Sequence, residues 1–155
     1  MTDYRRTRVI FVCLGNSCRS PMAEAIAAHI ASDVMEVSSA GVAALGRVQS
    51  MTKLTVAKNG YPADGLESKF LEDRDLEAAD IVINMTGRPG LALFRDASKV
   101  EDWIVEDPYG SDAETYQRVF EDIESRVVEL VGRVRRTGNG EFTARNAREK
   151  RVDQQ

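Results

Sequence analysis

The sequence predicts an α/β fold, a single-domain three-layer α/β/α sandwich with a central parallel four-stranded sheet. Two observations predict it. Short apolar runs alternate along the chain with segments of helical period, the order that lays strands parallel and covers both faces of a sheet with helices. The 155 residues, 43% of them hydrophobic, are enough for one domain with a real core and too few for two comfortable ones.

Arg8 to Leu14, carrying Val9-Ile10-Phe11-Val12, reads as a strand buried on both faces. Ser20 to about Ser32 reads as a helix, with Pro21 in the first turn, where its missing N–H leaves nothing unpaired. Met35 to Ala40 is a second strand ending at Gly41. Ser50 to Asn59 is a short helix with apolar positions Met51, Leu54, Val56 and Ala57, stopped by Gly60 with Pro62 beyond. Leu71 to Ala79 supplies a helical turn or two before the third strand, Ile81 to Met85. Gly87 to Asp96 holds a short helix, and Val100 to Val105 is the fourth strand.

The last helix is the clearest element. Ser111-Asp112-Ala113-Glu114 has capping-box spacing, and Tyr116, Val119, Phe120, Ile123, Val127, Leu130 and Val134 recur on one face. Arg133, Arg135 and Arg136 complement the dipole at its C-terminal end, and Gly138 stops it. Residues 1–137 are therefore expected to form the domain. Residues 138–155, with few apolar positions and no usable period, are expected to be a mobile tail.

The formal net charge is −4, and the 138–155 segment holds more basic than acidic residues, so the body is more acidic still. An acidic body gives no support to nucleic-acid binding. No apolar run is long enough to span a bilayer, and the apolar stretch near the N-terminus is too short for a signal peptide. Two cysteines with no disulfide framework point to a reducing compartment, so the expected location is the cytoplasm.

The chemistry sits in Cys13-Leu14-Gly15-Asn16-Ser17-Cys18-Arg19-Ser20-Pro21, which joins the first strand to the first helix. A loop wound around a helix N-terminus points several backbone N–H groups inward, where the helix dipole also favours an anion. Arg19 adds a planar fork that grips two oxygens of a tetrahedral oxyanion. The same field favours a thiolate at Cys13, beneath the trapped anion. A thiolate in line with the phosphorus of a bound monoester is placed for covalent phosphoryl transfer. The plain alternative, a cysteine that merely ends a buried strand, leaves Gly15, Arg19, Ser20 and Pro21 unexplained together.

Asp107 is the second candidate, held extended or in a turn by Pro108. Its carboxyl group could protonate the leaving oxygen and then take a proton from the hydrolytic water. An Asp-Pro turn without function is the alternative. Glu106 and Asp102 read better as solvated charge at a strand end.

The Cys-x5-Arg-Ser loop, with Asn16 and Pro21 in place and Asp107-Pro108-Tyr109-Gly110 downstream, resembles the low molecular weight protein-tyrosine phosphatase family over about residues 7 to 137. The resemblance implies a cysteine-dependent phosphatase acting on phosphotyrosine through a phosphocysteine, with no metal or organic cofactor. Its partners would be phosphorylated proteins or peptides, and inorganic phosphate or an oxyanion mimic would occupy the loop. It casts Cys13 as nucleophile, Arg19 as the phosphate and transition-state ligand, and Asp107 as general acid and base. Leu14, Gly15, Asn16, Ser17, Cys18, Ser20, Leu45 and Tyr109 are the expected substrate-binding residues. Asn16, Ser20 and Ser39 are expected to support the loop, the alternative readings being a helix cap for Ser20 and a strand-end serine for Ser39. The resemblance also implies a reversible disulfide between Cys13 and Cys18 that protects the nucleophile, packing alone being the alternative for Cys18.

Departures from the family pattern bear on substrate. The histidine usual in the supporting network is missing, and the only histidine, His29, lies on the first helix. Leu45 and Gly110 stand where tyrosine-directed relatives often carry aromatic residues, which leaves Tyr109 as a single stacking wall. Ser17, expected at the pocket rim, resembles the threonine of bacterial protein-arginine phosphatases, the alternative reading. Thioredoxin-coupled arsenate reductases share the loop, but their relay needs two further cysteines outside it, and this chain has two in all. A phosphate-binding adaptor, the reading outside enzymes, requires Arg19 or Asp107 to be misplaced.

Overall fold

Strand β1, Thr7–Cys13, lies in the middle of the sheet and carries apolar side chains on both faces. The computed structural model describes residues 5–137; the expected mobile tail at 138–155 lies outside them. Helix α1 (Arg19–Ile30) follows β1, then β2 (Met35–Gly41), α2 (Ser50–Lys58), α3 (Asp73–Ala78), β3 (Ile81–Asn84), α4 (Gly90–Leu93), β4 (Val100–Asp102) and α5 (Ala113–Thr137). A 3-10 turn at Ala97–Lys99 leads into β4. The four strands are parallel in the order β2-β1-β3-β4.

Alternation along β1 divides the core in two, as a sheet covered on both faces requires. Val9, Phe11 and Cys13 pack with Met22 and Ile26 of α1 and with the buried stripe of α5. Ile10 and Val12 join Ala79, Val82, Phe94 and Val100 on the other face, with Leu71, Leu76 and Leu93 packed against them. All seven apolar positions predicted for α5 are buried. The predicted three-layer sandwich with four parallel strands is the fold.

Several elements are shorter or differently faced than the sequence predicts. β4 ends at Asp102; beyond it Trp103 N–H still donates to Asn84 O of β3 at 2.9 Å, and Trp103 and Val105 are buried while Ile104 is exposed. The short helix expected over 87–96 is a single turn, Gly90–Leu93. Helix α2 turns Thr52, Thr55 and Val56 inward, whereas the predicted Leu54 is exposed and Ala57 also faces out. The cap of α5 is Asp112 rather than Ser111: the Asp112 carboxylate accepts from Thr115 N–H at 2.9 Å.

Arg133, expected to complement the helix dipole, is buried and paired across the core. Its guanidinium donates two hydrogen bonds to the carboxylate of Glu101 on β4, at 2.8 and 2.7 Å, and a third to Glu129. Trp103 Nε1–H donates to the same Glu101 carboxylate at 2.7 Å. The pair ties the edge strand to α5 in two parallel bonds, the geometry that guanidinium and carboxylate planes favour. Arg133→Met leaves the Glu101 charge buried without its main partner and is expected to destabilise the fold by about 3 kcal/mol. Adding Glu101→Leu should recover part of that loss, the remainder reflecting the Trp103 Nε1–H left without its acceptor, read as the urea midpoint of single and double variants.

Candidate active site

Cys13 ends the central strand, so its thiol emerges at the carboxyl end of the sheet, where open α/β folds bind ligands. Residues 14–18 then reverse direction into α1. The loop carbonyls point outward to donors on the following segment. Cys13 O accepts from Val42 N–H, Leu14 O from Ala43, Gly15 O from Leu45 and Ser17 O from Gln49. Thr52 Oγ1 donates to Ser17 O and Ser68 Oγ to Gly15 O. That polarity leaves the loop N–H groups to face inward over Cys13. Helix α1 begins at Arg19 with Cys18 in the cap position and no side-chain oxygen capping it. Its first N–H groups add to the same anion-favouring field.

Asn16 is the keystone of the loop, held at φ +48°. Its Oδ1 accepts from Lys69 N–H at 2.8 Å, while Nδ2 donates to Ser20 Oγ at 2.8 Å and Ser39 Oγ at 3.0 Å. Ser20 Oγ lies 2.9 Å from Cys13 Sγ. Ser39 in turn donates to the Glu24 carboxylate of α1. Gly41, at the end of β2, lets this loop pass: a Cβ there would come within 2.8 Å of Asn16 N and Leu14 O.

Arg19 is buried, with Nη1 donating to Val105 O at 3.2 Å and Nη2 lying 3.5 Å from the Asp107 carboxylate. Asp107 therefore comes to the mouth of the loop from beyond β4, and its Oδ1 accepts from Tyr109 N–H at 3.1 Å. Cys13, Leu14, Gly15, Ser17, Cys18, Arg19, Leu45, Asp107 and Tyr109 line one cleft of about 300 Å³. Ala43, not singled out in the sequence, lines it as well.

Not every predicted lining residue takes part. The side chains of Asn16 and Ser20 are fully buried behind the loop and act on it from there. Ser17, expected at the rim, is only 4% exposed, and its Oγ lies 3.7 Å from Cys18 Sγ. Both cysteines are free thiols. Cys18 Sγ also lies 3.3 Å from the hydroxyl of Tyr116 on α5, whose pKa is raised, first by burial and next by its hydrogen bond to Cys18. His29 stays out of the site, with its ring edge-on to Tyr61 at 5.5 Å. Asp102 accepts from Gly90 N–H and Asn84 Nδ2, and Glu106 pairs with Arg118, so neither rival of Asp107 approaches the thiol.

A thiol below inward N–H groups, flanked by a buried arginine and an aspartate on one sheet end, defines the class of cysteine-based phosphatases. The model for low molecular weight phosphotyrosine protein phosphatases matches residues 8–139, and the chain belongs to that family. A glutaredoxin arsenate reductase of Synechocystis is 31% identical over 130 residues, spanning 82% of this chain and 98% of that protein. The solved low molecular weight protein tyrosine phosphatase from T. tengcongensis is 31% identical, with TM-score 0.74 over 81% of this chain and 98% of that one. The YwlE arginine phosphatase from Geobacillus stearothermophilus is 28% identical, with TM-score 0.75 over 83% and 93% of the two chains.

Among the described residues no helix is long and apolar enough to cross a membrane.

Gly41→Ala tests how far the site depends on close backbone packing. The added methyl must push Asn16 and Leu14 away from β2, and a displacement of the reacting groups by about 1 Å costs roughly 100-fold in rate. A drop of that order in aryl phosphate turnover is expected, with a far smaller change in the thermal midpoint.

Proposed function

We propose that this chain is a protein phosphatase that hydrolyses phosphotyrosine through a phosphocysteine formed on Cys13. The observation that carries the reading is the convergence of Cys13, Arg19 and Asp107 on one cleft whose rim is largely apolar. The loop N–H groups and Arg19 hold the three terminal oxygens of the phosphoryl group. The Cys13 thiolate attacks phosphorus as the bond to the leaving oxygen breaks, and Asp107 gives that oxygen its proton. Water then attacks the phosphocysteine, Asp107 takes the proton back, and inorganic phosphate leaves with the thiolate restored. Residues 1–137 make up the phosphatase domain in this reading. The cytoplasm is its compartment, because a working thiolate at Cys13 requires reducing conditions.

Substrate choice rests on the rim. Leu45 and Tyr109 are 54% and 55% exposed, and Leu14 is also exposed. They offer a phenyl ring an apolar slot with one stacking face, worth about 0.5–1.5 kcal/mol beyond burial. Phosphoarginine is the second reading, favoured by the likeness of Ser17 to the threonine of arginine phosphatases. The burial of Ser17 against Cys18 weakens it. Arsenate fits the same loop as a tetrahedral oxyanion, but both cysteines of the chain lie in that loop and no thiol outside it can carry a reduction relay.

Cys13→Ser is expected to abolish turnover with fold and oxyanion binding retained, because a serine hydroxyl does not ionise there. Asp107→Asn should slow esters with poor leaving groups far more than those with good ones, since only the former need a proton in the transition state. The decisive measurement is kcat/KM on phosphotyrosyl and phosphoarginyl peptides, alongside arsenate reduction with glutaredoxin or thioredoxin. Preference for phosphoarginine, or efficient arsenate reduction, would overturn the substrate assignment.

A further inference from the structure

We infer that Glu24 is a positioning residue for the Cys13 thiolate, acting through Ser39 and Asn16; this rests on the reading of Cys13 as the nucleophile. The hydrogens of the buried network can be placed one by one. A backbone N–H only donates, so Lys69 fixes Oδ1 of Asn16 as acceptor and turns both Nδ2 hydrogens toward Ser20 and Ser39. Each serine therefore accepts from Asn16 and has one hydrogen of its own to place. That of Ser20 goes to Cys13 Sγ, where it stabilises the charged sulfur. That of Ser39 goes to the Glu24 carboxylate.

Asn16, Ser20 and Ser39 are fully buried, so solvent does not compete for the bonds among them, and the half-buried Glu24 caps the network from its outer end. A carboxylate only accepts, which means that Ser39 cannot reverse and its lone pairs stay turned to Asn16. Glu24 thus fixes the far end of a chain that reverses at Asn16, whose amide donates to Ser39 on one side and to Ser20 on the nucleophile's side. Without that acceptor the Ser39 hydroxyl is free to rotate, and Asn16 loses one of the anchors that hold it at positive φ. The Ser20 hydroxyl then no longer has Cys13 as its single outlet. The loss reaches the sulfur through the orientation of the Asn16 amide, which holds Ser20 against Cys13. The family's usual histidine is absent from this network, and in this chain the carboxylate comes from α1, one turn beyond Ser20.

The through-space effect of Glu24 has the opposite sign. A negative charge near a thiolate disfavours it, so if Glu24 acted only by its field, removing it would make Cys13 more reactive. The test is the rate of Cys13 alkylation by iodoacetamide over a pH series, with the modified cysteine identified by peptide mass spectrometry. Glu24→Ala is expected to slow alkylation several-fold at acidic pH, move the profile to higher pH and converge with wild type at alkaline pH. Ser39→Ala should do the same, and the double variant should be no slower than either single one. Glu24→Gln, which still offers Ser39 an acceptor, should recover most of the rate, and thermal midpoints verify that each variant is folded.

An unchanged or faster rate in Glu24→Ala, additive losses in the double variant, or an equal loss at every pH overturns the inference. If wild-type Cys13 reacts no faster than free cysteine at acidic pH, the nucleophile reading falls and the inference falls with it. A reactive Cys13 that is indifferent to Glu24 overturns the inference alone.

Discussion

Three hydrogen bonds from one buried amide hold the active loop open. Asn16 sits at φ +48°, a region where the Cβ of an L-residue crowds the backbone at a cost of roughly 1–2 kcal/mol. Asparagine tolerates it better than most residues, and here all of the hydrogen-bonding groups of its side chain are engaged, by Lys69 N–H on one side and by Ser20 and Ser39 on the other. The strained turn is what lets five residues reverse direction between β1 and α1 with their carbonyls outward. A relaxed turn would close its own N–H groups on its own carbonyls and leave nothing for an anion.

An outward-facing set of carbonyls needs donors, and the chain supplies them from segments with little regular structure of their own. Residues 42–49 run alongside the loop and give it four N–H groups, while Thr52 and Ser68 add hydroxyls. On the other side the position of Asp107 depends on the irregular stretch between β4 and α5. Its starting point is held by Glu101 and Trp103, locked to Arg133 of α5, with the Trp103 ring packed 6.0 Å from that of Phe11 on β1. Its end is held by Arg19, which binds the Val105 carbonyl and reaches Asp107. A buried ion pair remote from the thiol thus sets where the proposed proton donor is launched.

Elements whose signal is local and periodic could be read directly. The α5 stripe, the apolar runs of β1 and β3, and the loop from Cys13 to Pro21 all state their role within a few neighbouring residues. What stayed hidden depends on distant partners. Arg133 near a helix end looks the same in sequence whether it faces water or Glu101, 32 residues away on another element. Thr52 and Thr55 broke the apolar period expected of α2: Thr52 is turned inward to donate to the loop carbonyl of Ser17, and Thr55 satisfies its hydroxyl on Met51 O of its own helix. The cap of α3 is a reciprocal pair, Glu72 with Asp75, which lacks the serine or threonine that usually marks the motif. Nothing in the sequence singles out Glu24, since only the fold brings Ser39 to it. The missing histidine was legible; the carboxylate that joins the network was not.

The buried network and the rim answer different questions. Inward N–H groups and the Arg19 fork recognise a tetrahedral oxyanion and cannot distinguish the ester that carries it. Discrimination must come from atoms beyond the phosphoryl group, which means Leu14, Ala43, Leu45 and Tyr109. These give a phenyl ring area to cover and give a guanidinium almost nothing to donate to. The nearest carboxylate, Asp107, already faces Arg19 and takes the Tyr109 N–H. Drawing it toward a substrate guanidinium would set that group in competition with the buried Arg19 for one carboxylate. The same contact that brings Asp107 over the thiol therefore supports an aromatic ester over a cationic one as the substrate.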